Sequence, residues 1–373
     1  MGYVAVKGGS AAIEESIRRL KYERLKEKTV LKIEDINGGL RGLIDQVMSE
    51  SSIYSKELAS IAIKQSEGNV EEAVFLLRAY RSTLPRKHYT KVVDTKNMFV
   101  ERRISASFKD VPGGQILGSS YDYTHRLIDF DLIDETSEDV LNWLNNFENE
   151  VVSNQDETDL TNLPKVLDYL RKEGLIENYE NNDVQPMDIT KKSIEFPTTR
   201  SERMQILTRG QTGTITSLGY AALRAYGALH PTVGELRIGM IPLYITSPLN
   251  NSKDEEDEYY IGDIKITEVE TFMPRTVEKK VGIKEIKFDI GYGICYGQNE
   301  TKAIAMSILE QCLEAKDKKY PTQDEEFVLL HIDSVESAGF ISHLKLPHYV
   351  TFQSKLDSVR KIRTGGTGNE NKV

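Results

Sequence analysis

Two histidines near the C-terminus, His343 and His348 in Ser342-His-Leu-Lys-Leu-Pro-His-Tyr349, form the sharpest chemical pair in the chain. Neutral imidazole is a good ligand for zinc and related divalent metals, and two rings on one short segment can share an ion. Their spacing restricts how. Residues five apart on a helix point roughly 140° away from each other, and an odd spacing on a flat strand puts them on opposite faces. A shared ion therefore requires a bend, and Pro347 beside His348 offers a non-helical path. Spacing alone leaves two readings open: part of a metal site completed from elsewhere, or two unrelated histidines. Upstream, His331 and Asp333 offer a third ligand or an acid–base pair, and equally a polar helix cap.

Other residues suit anions and proton transfer. Lys7-Gly8-Gly9-Ser10, between a strand and a helix, resembles a small phosphate cradle, because free N–H groups at a helix start attract anions. It lacks the Walker spacing, so a plain turn explains it too. Arg102 and Arg103, followed by Tyr121–Arg126 and Asp129, mix guanidinium, phenol, imidazole and carboxylate, as polar clefts that bind phosphate do. Ordinary ion pairs on exposed strands account for the same letters. His230, Glu235 and Arg237 form a compact polar group between a helix and a strand, structural or catalytic. Arg78 and Arg81 end a helix, where cations favour the dipole.

The elements that must position these groups follow from periodicity. Ile13, Ile17, Leu20 and Leu25 keep helical spacing after Ser10 as N-cap. Ile36, Leu40, Leu43, Ile44 and Val47 form a buried stripe on a second helix, and helices over Lys56–Gln65 and Val70–Arg81 follow. Strands are expected near Met98–Phe108, Glu235–Thr246, Tyr259–Thr271 and Ile286–Cys295, and Asn299 caps a further helix. Short helices near Val140–Phe147 and Pro164–Lys172 interrupt an acidic stretch, and Asn250–Glu258 reads as a solvated loop. Runs of helix and runs of strand without βαβ alternation predict an α+β fold, with a helical N-terminal part followed by mixed, largely antiparallel strands with packed helices. The boundaries are a mainly helical part over 1–90, an α+β body over 91–133 and 196–363, an acidic insertion or linker over 134–195, and a disordered tail over 364–373.

Composition bounds the function. A net charge of −10 argues against broad nucleic-acid binding, which needs a cationic surface. No apolar run reaches the roughly 20 residues of a membrane helix, and the N-terminus has no secretory pattern, so no membrane and a cytoplasmic location are expected. The two cysteines, Cys295 and Cys312, lie far apart in apolar surroundings, which argues against an iron–sulfur cluster or an all-cysteine zinc site.

Several segments together resemble one family. They are YVAVKGG from Tyr3, AVFLLRAYRSTL from Ala73, ERRISASFKDVPGGQILG from Glu101, YDYTHRLIDF from Tyr121, GELR from Gly234, DEEFVLLH from Asp324 and GFISHLKLPHYVTFQ from Gly339. In this order they resemble the PhnI family, the I subunits of the carbon–phosphorus lyase core complex. The resemblance implies a subunit assembling with G, H and J subunits, and with ATP-binding-cassette subunits K and L. It implies transferase chemistry on ATP and alkylphosphonate: adenine leaves the ribose and phosphonate takes its place, giving ribose 1-alkylphosphonate 5-triphosphate. The subunit alone is then expected to act as a purine nucleotide nucleosidase; the alternative is a non-catalytic scaffold with a metal-binding interface. The family's metal-binding histidines fall on His343 and His348, implying zinc or a similar divalent ion there and Mg with the ATP. Breaking a glycosidic bond builds positive charge on the sugar and needs an acid for the leaving base. By residue type and locale, Asp129, His230 and Glu235 are the catalytic candidates, and Lys7, Gly8, Gly9, Arg102 and Arg103 the triphosphate candidates.

Overall fold

The computed structural model describes residues 8–153, 160–177, 184–225, 230–248, 258–280, 283–315, 318–346 and 348–366. The chain opens with α1 (Gly9–Leu25), capped by Gly8 in a left-handed conformation (φ 99°), so that Ser10 lies inside the helix instead of capping it. No residue of α1 is buried. The helix expected across residues 36–47 is in fact two, α2 (Ile33–Gly39) and α3 (Arg41–Ser51). The break falls at Leu40 (φ −115°, ψ 42°), directly after Gly38-Gly39, where helix propensity is lowest. Two helices with side-chain N-caps follow, α4 (Lys56–Gln65) on Ser55 and α5 (Val70–Ser82) on Asn69. Ile36, Ile44, Met48, Ile63, Val74 and Leu77 close a small core between α2, α3, α4 and α5.

The body continues with β1 (Phe99–Ile104), α6 (Ser137–Ser153), α7 (Asp168–Lys172), α8 (Arg200–Arg209) and α9 (Thr212–Tyr220). Then come three long strands, β2 (Thr232–Thr246), β3 (Glu258–Lys280) and β4 (Ile283–Tyr296), and four helices, α10 (Glu300–Glu314), α11 (Glu325–His331), α12 (Ser334–Ser342) and α13 (Tyr349–Gly366). The strands form one antiparallel sheet in the order β1-β2-β3-β4. This is the α+β architecture expected. Residues 249–257 lie outside the described residues, and with them nearly all of the Asn250–Glu258 loop; the end expected to be a tail carries the last residues of α13, and 367–373 lie outside the description.

One face of the sheet carries α10, capped by Asn299, whose side chain accepts from the Lys302 amide at 3.1 Å. The helix comes so close that a Cβ on Gly293 would sit 1.9 Å from the Ala303 carbonyl oxygen, and one on Gly291 2.1 Å from that of Ser307. Only glycine permits this approach. Leu236, Ile238, Val269, Cys295, Met306 and Leu309 fill the main core on this side.

The opposite face is charged yet buried. By register, Arg103 on β1, Glu235 and Arg237 on β2, and Glu268 and Glu270 on β3 share it, with Tyr292 of β4 opposite Glu270. Residues 160–176, within the stretch expected to be an insertion or linker, cover it. Their Leu163, Val166, Leu167, Leu170 and Ile176 are buried, whereas most of α6 before them is exposed. Glu268 is the hub: one oxygen accepts from Lys165, Thr95 and Tyr292, each at 2.8 Å, and the other from Arg237 at 2.6 Å. Arg171 reaches Glu270 at 2.6 Å. Burial alone would raise the Glu268 carboxyl, but Lys165 and Arg237 outweigh it and hold the group down at about 2. Among the described residues no helix is long and apolar enough to cross a membrane.

A carboxylate depressed in the folded state stabilises the fold fully above its ordinary value, and that stability is lost as pH falls toward the folded value. Thermal unfolding should therefore show stability falling as pH drops from 4.5 toward about 2. In Glu268→Gln this dependence should flatten, with neutral-pH stability lower by roughly 3–5 kcal/mol because Arg237 and Lys165 lose a buried partner.

Candidate functional site

The two C-terminal histidines are brought together. α12 ends in a single 3-10 turn, His343–Lys345, and α13 starts at Tyr349, so the two rings do not share one continuous helix. Pro347, which was expected to provide the bend, lies outside the described residues. The ring centroids are 5.7 Å apart with an interplanar angle of 65°. Each ring is oriented by its own backbone: His343 Nδ1 meets the Phe340 carbonyl and His348 Nδ1 the Leu346 carbonyl. A carbonyl only accepts, so each contact has Nδ1 as the donor, and in the neutral ring Nε2 then carries the lone pair. A backbone carbonyl holding the other ring nitrogen in this way is what metal-ligating histidines generally have. His348 is exposed and His343 partly so.

Among the described residues, no group of three or more His, Cys, Asp or Glu is placed to hold a metal ion. His331 turns back on its own helix, with Nδ1 2.6 Å from the Phe327 carbonyl and its ring 4.4 Å from that of Phe327. Asp333 caps α12 through the amides of Val335 and Glu336 and binds Arg78 at 2.6 Å.

The other expected site residues are dispersed. Arg103 is fully buried: Nε donates to Glu235 at 2.6 Å, Nη1 to the carbonyls of Pro112 and Gly114, and Nη2 to that of Pro164 at 2.6 Å. Glu235 takes the Val166 amide with its second oxygen, at 3.0 Å. These two residues thus bind each other and the segment that covers them. Arg102, also buried, donates to Asp122 at 2.6 Å, to Glu300 and to the Leu117 carbonyl, tying the exposed loop 118–133 to α10. That loop carries Asp129, whose carboxylate accepts from the Asp131 amide at 3.1 Å and is otherwise exposed. His230 is exposed just before β2. Gly8 and Gly9 start α1, exposed along its length, and Lys7 lies outside the described residues. No hydrogen bond among the described residues joins Asp129, His230 and Glu235.

Two imidazoles side by side at the edge of an α+β body, apart from carboxylates and guanidiniums committed to internal ties, make the candidate site. The family model of the bacterial phosphonate metabolism protein PhnI matches residues 2–366, and the chain belongs to this family. It is 41% identical to a putative C-P lyase subunit protein HtxH of Stutzerimonas stutzeri, over 98% of this chain and 97% of that protein. It is 40% identical to the alpha-D-ribose 1-methylphosphonate 5-triphosphate synthase subunits PhnI of Rhizobium meliloti (strain 1021), over 97% of this chain and 95% of that protein, and of Escherichia coli (strain K12), over 97% and 98%.

If Arg103 and Glu235 are structural, removing one should cost stability and leave the histidine pair intact. Arg103→Met should lower unfolding stability in urea by about 3–5 kcal/mol, because Glu235 is left buried without its partner. Metal bound at His343 and His348 should not change.

Proposed function

We propose that this chain is a subunit of the carbon–phosphorus lyase system that takes part in forming alpha-D-ribose 1-methylphosphonate 5-triphosphate, the activity named for its relatives. The observation that carries the reading is the histidine pair. Two rings whose Nδ1 atoms are spent on backbone carbonyls present two Nε2 lone pairs within one turn. They fit zinc or a similar divalent ion, which when bound supplies Lewis-acid charge to phosphonate or phosphate oxygens. His343 and His348 supply two ligands, and the remaining positions go to substrate oxygens or to a partner subunit.

The surroundings support an incomplete site. Phe340, Ile341, Leu344, Val350 and Ile362, on α12 and α13 and the turn between them, are each more than 60% exposed. An apolar surface of this extent marks an interaction face. We assign it to the assembly with G, H and J subunits and the ATP-binding-cassette subunits K and L, with ATP and alkylphosphonate as substrates and Mg accompanying the nucleotide. Within this reading Arg103 and Glu235 hold the protein together. Asp129 and His230, both exposed, keep solvent access and remain available for proton transfer beside a bound nucleotide.

A second reading is favoured by the dispersal of Asp129, His230 and Glu235: a non-catalytic scaffold whose chemistry is assembled only with partners. Adenine release from ATP separates the two. Release by the purified chain supports a nucleosidase in its own right; release only after partner subunits and alkylphosphonate are added supports the scaffold. For the metal, the assembled complex carrying His343→Ala or His348→Ala should lose most of its divalent ion by elemental analysis, with its thermal midpoint held. Full metal content in both variants would remove the site.

A further inference from the structure

Arg81 and Arg209 each bury a guanidinium nitrogen that has no hydrogen-bond partner among the described residues. Arg81 stands on the last turn of α5 and Arg209 at the end of α8, and both line a cavity of about 570 Å³. Arg81 Nη1 and Arg209 Nε are buried nitrogens without a hydrogen-bond partner among the described residues. Lys191 and Lys192 line the same cavity, with Ile189, Ile194 and Leu329 supplying apolar wall.

The nearby acids are already taken. Asp333 gives both oxygens to Arg78 and caps α12. Asp188 binds Thr190 and Arg86. Glu336 is the remaining acid of the lining, and it is exposed. Arg78 itself is saturated, donating to the Glu50 and Arg209 carbonyls as well as to Asp333. Burial, with the nearby charges of Arg78 and Arg81, outweighs the attraction of Asp333 and Glu336 and pushes Arg209 down to about 10, still cationic at neutral pH. In a chain of net charge −10, cations gathered against one another at a cost imply an absent anion. Arg81 and Arg209 each stand in the last turn of a helix, where the dipole favours a cation, but the dipole leaves a buried nitrogen of each without a hydrogen-bond partner.

We propose that this cavity is an oxyanion site that takes the triphosphate chain of a nucleotide, with Arg81 and Arg209 as the fork-shaped ligands and Lys192 at the rim. The inference rests on the function proposed above for the choice of nucleotide, but the cation cluster stands without it. Its size lies within the range of small-molecule sites and exceeds what a single phosphate needs. Guanidinium in a partly apolar wall binds phosphate oxygens by paired, charge-assisted hydrogen bonds. The site also has a defined relation to the histidine pair. Asp333, in the cavity lining, caps the start of α12, and His343 caps its end, so about 15 Å of one helix separates the two.

The test is calorimetric titration of the full chain with inorganic tripolyphosphate, ATP and adenosine. Tripolyphosphate and ATP should bind and adenosine should not. The Arg81→Gln/Arg209→Gln double variant should weaken both anions at least ~10-fold, and Lys192→Ala by roughly 3-fold. Without anion, Arg209→Gln should melt at or above the parent temperature because repulsion is relieved, whereas a structural arginine would lower it. Tripolyphosphate should raise the parent midpoint and leave that of the double variant unmoved. Double-variant affinity within twofold of the parent, or a parent chain that binds neither anion, overturns the proposal. Should the double variant fail to fold, Lys192→Ala decides, and unchanged affinity there counts against the site. Metal at the histidine pair is read in the assembled complex. Metal retained there with no anion bound sinks this site alone, and anion bound with no metal sinks the histidine reading alone.

Discussion

The structure depends on one carboxylate being satisfied in the dark. Glu268 sits near the middle of β3, buried, with ligands drawn from β2, β4, the turn before β1 and the covering segment at Lys165. A charge this deep is tolerated only if the protein supplies everything water would have supplied. Five parts of the chain must therefore arrive together. Glu235 and Glu270 repeat the device on the same face, through Arg103 and Arg171. Charge at such positions defines which segment may cover the sheet more sharply than an apolar face would, since a slipped register would strand an ion.

That layer sorts the arginines by use. Arg103 and Arg237 are spent on neighbouring carboxylates, Arg102 fastens the loop that bears Asp129, and Arg78 fastens α5 to the cap of α12. All four are tied to internal carboxylates, and so serve position before reactivity. Arg81 and Arg209 differ in facing a shared cavity, where Nη1 of the first and Nε of the second are buried without a hydrogen-bond partner among the described residues. Whether an arginine is paired with a carboxylate or faces a cavity, and not its mere presence, separates the two uses here.

The histidine pair lies outside this rigid frame, on helices whose apolar side chains stay in solvent in the free chain. Phe340, Leu344 and Val350 stand open beside the two imidazoles, an apolar exposure of the kind found at interaction faces. Arg102, through Glu300 and Asp122, ties the exposed loop 118–133 to the sheet and α10, so this second open element is also anchored to the ion-bound body.

Local chemistry in the amino-acid sequence settled much of this. Helical periodicity and the caps Ser55, Asn69 and Asn299 depend on neighbours a few residues away, and so do the strands of β2, β3 and β4. They were legible, as was the need for a bend between His343 and His348. The split at Leu40 was missed because an unbroken apolar stripe outweighed two glycines in the reading. What only the tertiary structure decided were the long-range partnerships. Arg103 and Glu235 read equally well as ligands or as an ion pair until β1 and β2 were placed side by side. Lys165 gave no local sign that its segment closes over a buried glutamate. Arg81 and Arg209 come from helices far apart in the chain, and their shared lack of a partner is a property of the cavity between them. Hydrogen-bond saturation is a sum over neighbours in space, and no pattern along the chain contains it.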